Sequence, residues 1–177
     1  SGHLGCFEMG AAYAAYAGQA VSAIARYAKT SAITDRMNAI RESAGYKILL
    51  YDARGFRAMK NLRANELVFI LVDQDEGAKG VFVDFFGQPA STVSGPAILA
   101  ARTGATLLTA WVVREKDGRF RLICEPALPN PGPDASPEAI REVVQLYTNR
   151  LEAIVRQYPD QYLWMHRRWK TKPPVEA

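Results

Sequence analysis

His3 and Glu8 are the residues of this chain whose types and spacing could perform acid–base chemistry. They lie five positions apart in the opening segment Ser1-Gly-His-Leu-Gly-Cys-Phe-Glu-Met-Gly10. Only residues three or four apart stack on one helix face, so one of the pair must lie outside the helix. The natural arrangement ends a strand near Gly2, turns at Gly5 and begins a helix near Phe7. A carboxylate that then reaches back to the imidazole fixes its tautomer and raises its basicity. The alternative is a surface histidine beside an unrelated glutamate.

Asp73, Asp75 and Arg41 are candidate binding residues at one edge of the predicted fold. The two acids follow the most strand-like run of the chain, residues 67–72, and open α/β folds bind ligands at the carboxyl ends of their strands. The acids could orient a substrate or a cationic side chain, and the alternative is a solvated acidic turn. Arg41 could hold a phosphate or a carboxylate, or it could pair with a neighbouring acid in solvent.

The end of the chain is basic. The net charge is only +4, but basic residues crowd into the segment His166-Arg-Arg-Trp-Lys-Thr-Lys172. This asymmetry indicates an anionic partner, and a solvated basic tail is the alternative. The position of His166 beside Arg167 favours stacking or phosphate contact over base catalysis. The chain has no Gly-x-Ser-x-Gly elbow and no phosphate-binding glycine loop, which disfavours serine hydrolases and nucleotide-phosphate enzymes.

Length and composition predict a single domain that covers residues 1–177. Hydrophobic residues make up 49% of the 177, which is enough for one core. Cys6 and Cys124 lie far apart without metal-like spacing, so neither a metal site nor a disulfide framework is expected. The uncharged stretch at residues 9–25 is too rich in Ala and Gly for a membrane span. Because the chain opens at Ser1 inside a candidate active-site motif, we expect it to be truncated at its N-terminus.

The order of the predicted elements indicates an α/β fold with a mostly parallel central sheet flanked by helices. Around Asp117-Gly118, two predicted strands are joined by a turn typical of an antiparallel hairpin, in the C-terminal half. Periodicity and capping residues predict helices at residues 7–17, 34–44, 92–101 and 137–157, a helix capped by Asp52, and strands at residues 21–27, 47–51, 67–72, 81–86, 106–114 and 119–124.

Three blocks of the sequence resemble the late acyltransferases of lipid A biosynthesis, the lauroyl and myristoyl acyltransferases, within the lysophospholipid acyltransferase superfamily. Gly2-His-Leu-Gly-Cys-Phe-Glu8 resembles the catalytic block Gly-His-x-Gly-x-x-Glu of that family. Asp73-Gln-Asp75 with Gly80-Val-Phe-Val-Asp-Phe-Phe-Gly-Gln-Pro-Ala-Ser-Thr92 resembles its central block, and Tyr158-Pro-Asp-Gln-Tyr-Leu-Trp-Met-His-Arg-Arg-Trp-Lys-Thr-Lys-Pro173 resembles its closing signature. The blocks follow the order of the family and span nearly the whole chain. Cys6 is a departure, because relatives commonly carry Asn there.

The resemblance implies a glycerol-3-phosphate acyltransferase-like fold and a fatty acyl transfer without a cofactor. The acyl donor would be an acyl carrier protein thioester or acyl-CoA, and the acceptor a hydroxyl of a lipid A precursor. His3 would be the general base, polarised by Glu8, and no acyl-enzyme would form. The resemblance further assigns Arg41 to oxyanion or phosphate contact and Asp73 to orientation.

The same resemblance implies that the protein works on an anionic glycolipid at a membrane surface, on the cytoplasmic face of the bacterial inner membrane, and not on nucleic acid. Asp75, Arg167 and Arg168 would contribute to substrate binding. Three alternatives stay open at this point: an acyltransferase for another glycolipid such as a phosphatidylinositol mannoside, a thioesterase that activates water with the same residues, and a non-catalytic module that binds anionic lipid or nucleic acid.

Overall fold

The computed structural model describes residues 1–25, 31–51 and 55–174, and their fold is α/β as predicted. The chain divides into two compact units. We call Glu8–Ile70 the smaller unit, and Ser1–Phe7 together with Leu71–Ala177 the larger unit. No helix within the described ranges has both the length and the apolar character needed to cross a bilayer.

The smaller unit is built on a parallel three-stranded sheet. Its strand order is β2-β1-β3, with Ser22 of the central strand opposite Lys47 on one side and Val68 on the other. Parallel neighbours need crossover connections, and helices provide them. The elements are α1 (Phe7–Tyr16), β1 (Val21–Ala25), α2 (Ser31–Ser43), β2 (Lys47–Leu50), α3 (Phe56–Arg63) and β3 (Leu67–Phe69).

Small side chains hold α1 against this sheet. Ala11 packs with Val21 and Tyr46 in the core of the smaller unit, and further alanines of α1 line the contact. Alanine allows a helix to approach a sheet closely, so the larger side chains of α1 are left to point elsewhere. The predicted strand at residues 21–27 is confirmed as far as Ala25, and the rest of it lies outside the described residues. Asp52, the predicted cap of α3, also lies outside them.

The larger unit contains two antiparallel hairpins and two helices. The predicted hairpin around Asp117-Gly118 is confirmed, with Ala110 opposite Cys124 and Arg114 opposite Phe120. The long helix predicted at residues 137–157 has those bounds. The elements are β4 (Val81–Phe85), β5 (Gln88–Thr92), α4 (Gly95–Thr103), β6 (Ala110–Arg114), β7 (Phe120–Cys124) and α5 (Pro137–Gln157), with short 3-10 turns at Gly77–Lys79 and Pro159–Gln161.

Strand β5 was not predicted, and the helix expected to start at Thr92 starts later. Phe86 and Gly87 both adopt left-handed backbone angles, with φ of 57° and 72°, so the chain reverses after β4 and returns as β5. Two left-handed residues in succession are typical of a tight hairpin turn. Thr92 is therefore the last residue of a strand, and α4 begins at Gly95 with Pro96 in its first turn.

Helix α5 covers the hairpins of the larger unit with one apolar face. Leu151 and Val155 pack in a buried cluster with Leu4, Phe85 and Trp111. The opening segment of the chain is thus anchored in the core of this unit through Leu4. Fully burying a side chain of this size contributes about 1.5–3 kcal/mol.

The N-cap of α5 gives a stability prediction. The Ser136 side chain accepts a hydrogen bond from the Ala139 N–H, whereas Ser94, at the N-cap of α4, makes no such bond. Ser136→Ala should lower the free energy of unfolding by about 1 kcal/mol, because it leaves a donor of the first turn without its partner. Ser94→Ala is the matched control and should cost much less in the same urea titration. Equal losses in the two variants would contradict the assignment.

Candidate active site

The opening segment of the chain holds His3 in place through backbone contacts within the larger unit. The Leu163 N–H donates to the His3 carbonyl at 3.1 Å, and the Gly5 N–H donates to the Gln161 carbonyl at 2.9 Å. On the other side, the Cys6 N–H donates to the Val112 carbonyl of β6 at 2.9 Å. His3 and the residues that follow it are therefore held by backbone hydrogen bonds, which fix the position of the histidine side chain.

This close packing requires glycine at position 5 and leaves little room for a side chain at position 2. A Cβ on Gly5 would lie 2.1 Å from the Val112 carbonyl oxygen, and its φ of +57° is left-handed. A Cβ on Gly2 would lie 2.9 Å from Leu151 Cδ1 and 3.2 Å from Asp73 Cγ. The two glycines that flank His3 in the motif thus allow the backbone to approach β6 and Asp73. A role in leaving the ring sterically open is not needed to explain them.

Both carboxylate oxygens of Asp73 form hydrogen bonds with His3. Oδ2 accepts the backbone N–H of His3 at 2.8 Å, and Oδ1 lies 2.8 Å from the imidazole Nδ1. The aspartate side chain is only 3% exposed, while that of the histidine is 20% exposed. With the proton on Nδ1, which donates to the carboxylate, Nε2 keeps its lone pair and can accept a proton. Phe7 packs edge-on against the ring, with centroids 5.0 Å apart.

Asp75 contacts the closing segment of the chain, residues 164–171. Its backbone N–H donates to His166 Nε2 at 2.8 Å, and its carboxylate accepts the Thr171 hydroxyl at 2.8 Å and the Thr171 N–H at 3.2 Å. His166 is therefore a neutral acceptor here. Burial lowers the pKa of His166, and the nearby negative charge of Asp73 opposes that shift.

Arg168 is buried, and Arg167 is exposed. Arg168 is 2% exposed and donates to the Ser91 carbonyl at 2.5 Å and to the Thr92 hydroxyl. Its guanidinium lies over the Phe85 ring, 5.5 Å from the centroid. Burial lowers the pKa of this arginine. Of the two predicted anion ligands, Arg168 thus fastens the closing segment to β5, while Arg167 presents its charge to solvent.

In the smaller unit, Glu8 binds Arg41 and Tyr46. Arg41 Nη2 donates to one carboxylate oxygen of Glu8 at 2.5 Å, and Nε lies 3.2 Å from both oxygens. The Tyr46 hydroxyl donates to Glu8 at 2.5 Å. The hydrogen bond to Glu8 raises the pKa of Arg41, and burial followed by Glu8 raises the pKa of Tyr46. Arg41 does pair with an acid, but with one 33 positions away and not with a neighbour in its helix.

Sequence reasoning missed two of these site residues and misread a third. Tyr46 and Thr171 were not singled out, because a single aromatic after Gly45 and a threonine in a basic tail give no distinctive signal. His166 was expected to stack or to contact phosphate, and it accepts a backbone hydrogen bond instead. Within the described ranges, no group of three or more His, Cys, Asp and Glu side chains could hold a metal ion.

The glycine before Cys6 gives a second prediction. Gly5→Ala should destabilise the protein by more than 2 kcal/mol, at roughly the upper end for overpacking, because it combines a left-handed φ with a clash against the Val112 carbonyl. Gly118→Ala is the matched control, since Gly118 is also left-handed, at +85°, but has open space around it. Thermal unfolding monitored by circular dichroism measures both. Similar losses would show that the contact with β6 has no energetic role.

His166 gives a prediction about pH. Because its pKa is lower in the folded protein than in the unfolded chain, the unfolded chain binds more protons as the pH falls below about 6.5. The stability that neutral His166 provides is complete above that pH and is lost as the pH falls toward the folded pKa. His166→Gln retains an acceptor but does not titrate, so its free energy of unfolding should fall less between about pH 7 and pH 5 than that of the parent protein. Identical pH slopes in urea unfolding would refute the assignment.

Comparison with known proteins gives consistent matches. Residues 1–171 match a family model described as bacterial lipid A biosynthesis acyltransferase. The chain is 35% identical over 120 residues to the lipid A biosynthesis palmitoleoyltransferase of Escherichia coli (strain K12), which covers 66% of this chain and 37% of that protein. It is 33% identical over 130 residues to the lipid A biosynthesis lauroyltransferase of the same strain, covering 70% and 40%.

A phosphatidylinositol mannoside acyltransferase of Mycobacterium tuberculosis is also similar. It is 32% identical over 110 residues, covering 60% of this chain and 35% of that protein. The chain thus spans about two fifths of the length of these curated relatives.

Proposed function

We propose a function from the premise that the chain belongs to the bacterial lipid A biosynthesis acyltransferase family. The protein transfers a fatty acyl group to a hydroxyl of a lipid A precursor, with His3 as general base. The observation that carries this proposal is the pairing of His3 Nδ1 with the buried carboxylate of Asp73. When Nδ1 of a histidine donates a hydrogen bond to a carboxylate, Nε2 carries no proton, and its lone pair is free to accept one.

In the proposed reaction, the acceptor hydroxyl donates its hydrogen bond to His3 Nε2. As the oxygen attacks the thioester carbonyl, its proton moves to Nε2, and the resulting imidazolium is stabilised by the negative charge of Asp73. The new C–O bond forms, the C–S bond breaks, and the leaving thiolate takes the proton from Nε2. General base catalysis of this kind contributes about a hundredfold to ten-thousandfold in rate. The acyl donor is an acyl carrier protein thioester or acyl-CoA, and no cofactor takes part.

The carboxylates of Asp73 and Glu8 have separate proposed roles. Asp73 orients His3, as its two hydrogen bonds to that residue support. Glu8 holds Arg41 through three contacts, and this supports a cationic Arg41 that contacts an oxyanion or a phosphate. A polarising effect of Glu8 on His3 stays part of the proposal, and the kinetic experiment below tests it separately.

The closing segment is proposed to serve the anionic acceptor. Arg167 is exposed and could bind a phosphate directly. Arg168 and Asp75 were predicted to bind substrate as well, but their polar groups hold residues 164–171 in place, so we assign them to positioning Arg167. The acceptor would lie in the cytoplasmic face of the bacterial inner membrane, and the protein would reach it as a peripheral partner of that surface.

A phosphatidylinositol mannoside is a second candidate acceptor. The similarity to the mycobacterial acyltransferase favours it, because that relative is 32% identical to this chain, close to the values for the lipid A enzymes. Both acceptors present a sugar hydroxyl near phosphate at a bilayer surface, so the proposed chemistry is the same. Supplying each acceptor in turn distinguishes them.

The kinetic experiment follows acyl transfer by mass spectrometry, with a thioester donor and each acceptor. His3→Ala should abolish product, and Asp73→Asn should lower kcat by about a hundredfold or more, because the ring loses the partner that fixes its tautomer. Glu8→Gln should lower kcat less, through a weakened hold on Arg41. Asp134→Asn, an exposed acid outside the site, is the control and should retain full activity.

Several outcomes would change the proposal. Normal turnover in folded His3→Ala would overturn it. If Glu8→Gln removes activity while Asp73→Asn retains it, Glu8 is the carboxylate that acts on His3. Free fatty acid released at the same rate with and without acceptor identifies a thioesterase, and lipid binding without any acyl product identifies a non-catalytic module.

A further inference from the structure

The loop that carries Asp73 is held by the residues on either side of it. Within the described ranges, the backbone of Asp73 itself makes no hydrogen bond to another backbone group. Before it, the Val72 N–H donates to the Ser1 carbonyl at 3.0 Å. After it, hydrogen bonds at Asp75 fasten the loop on the other side. The carboxylate that binds His3 therefore owes its place in part to Asp75.

His166 and Thr171 make the hydrogen bonds that fasten Asp75. The Asp75 N–H donates to His166 Nε2 at 2.8 Å. The Asp75 carboxylate accepts the Thr171 hydroxyl at 2.8 Å and the Thr171 N–H at 3.2 Å. These partners lie 91 and 96 positions further along the chain. An aspartate that is bound at both its backbone and its side chain cannot shift without breaking one of these bonds.

The segment that contains these two partners is itself fixed to the core of the larger unit. Arg168 donates to the Ser91 carbonyl of β5 at 2.5 Å. Trp169 donates from Nε1 to the Phe85 carbonyl of β4 at 3.2 Å, and its ring stacks on the fully buried Phe85 ring with centroids 5.6 Å apart. A continuous series of contacts thus leads from the core, through the closing segment, to the loop that carries Asp73.

We propose that Thr171 and His166 are positioning residues for the proposed reaction. Their hydrogen bonds to Asp75 hold the loop so that Asp73 meets Nδ1 of His3. The inference deepens the proposed function, on which it rests for the role of the histidine as general base. A carboxylate at Nδ1 keeps the imidazole in the tautomer that leaves Nε2 free, so a displaced Asp73 lets the ring adopt the other tautomer. Neither positioning residue has to touch the acyl donor or the acceptor.

Thr171→Val tests the hydroxyl. Valine has nearly the same shape as threonine and keeps the backbone N–H that binds Asp75, but its side chain cannot donate a hydrogen bond. We expect kcat for acyl transfer to fall about tenfold with the KM of donor and acceptor unchanged, because only the geometry of the reacting groups is disturbed. Thr171→Ser retains the hydroxyl and should restore the kcat of the parent protein.

A pair of His166 variants tests the other hydrogen bond to Asp75. His166→Leu removes the acceptor of the Asp75 N–H and should lower kcat in the same way as Thr171→Val. His166→Gln retains an acceptor and should restore most of the kcat. Circular dichroism checks that each variant is folded, and the His166 pair carries the test if Thr171→Val does not fold.

The tautomer of His3 is a measurement that a general loss of stability does not change. Nitrogen-15 NMR at about pH 8, where an ordinary imidazole is neutral, distinguishes a proton on Nδ1 from a proton on Nε2. The chain has only two histidines, and the spectrum of His3→Ala identifies the signals of His3. In the parent protein and in Thr171→Ser these signals should report a proton on Nδ1. In Thr171→Val part of the population should carry it on Nε2.

Thr103→Val is the matched control. The partly buried Thr103 hydroxyl donates to the Leu99 carbonyl at 2.7 Å within α4, so this variant also loses a side-chain hydrogen bond in the larger unit. It should keep the kcat and the His3 signals of the parent. A folded Thr171→Val with the kcat and tautomer of the parent would overturn the proposal, and so would an equal loss of kcat in Thr103→Val. A raised KM for the acceptor with kcat unchanged would also overturn it and place Thr171 in acceptor binding.

The positioning role and the proposed reaction fail independently in this design. If the parent makes no acyl product with any acceptor, the proposed function falls. A tautomer change in Thr171→Val that is absent from Thr103→Val then still supports the positioning role. If the parent transfers acyl groups and the His3 signals of Thr171→Val equal those of the parent, the reaction stands and the positioning role does not.

Discussion

The buried carboxylate of Asp73 is the constraint on which the larger unit depends. A charged group taken out of water is tolerated only where hydrogen bonds replace its hydration, and here the backbone N–H and the imidazole of His3 both provide them. This requirement brings the start of the chain against a loop 70 residues away. Glycine at position 2 eases this approach, because a Cβ there would crowd Leu151 and Asp73. The fold and the proposed catalytic geometry thus depend on the same two hydrogen bonds.

The closing segment keeps the loop that carries Asp73 in position. Asp75, two residues further on, is held at its backbone by His166 and at its carboxylate by Thr171. Arg168 then fastens the same segment to β5. Each of these hydrogen bonds contributes little net free energy, but removing one partner leaves a buried polar group unsatisfied, which costs more. His166 and Arg168 therefore act within the protein, whereas Arg167 is exposed, and the sequence alone suggested an external role for all three.

Local signals in the sequence predicted the local structure well. Helix α5 has the predicted bounds because Ser136 caps it and its apolar period is unbroken, and the hairpin at Asp117-Gly118 forms as its turn residues indicate. Strand β5 was missed because Phe86, a bulky residue, adopts the left-handed conformation that turn rules assign to glycine or asparagine. The sequence marked Asp73 and Arg41 as candidate site residues but did not pair them with His3 and Glu8. They lie 70 and 33 positions away, and spacing rules describe only neighbours within a few turns.

In helix α2, an apolar face and the burial of that face do not coincide, although apolar periodicity is often taken to indicate both. Met37 and Ile40 lie at helical spacing, which correctly predicted a helix with an apolar face. Periodicity reports that a face is apolar, and it does not report what covers the face. Within the described residues, the side chains that pack α1 inward are alanines, and the face of α2 with the large residues is exposed. The histidine lies in the unit whose charges balance, whereas α1 and α2 lie in the unit with the whole net positive charge.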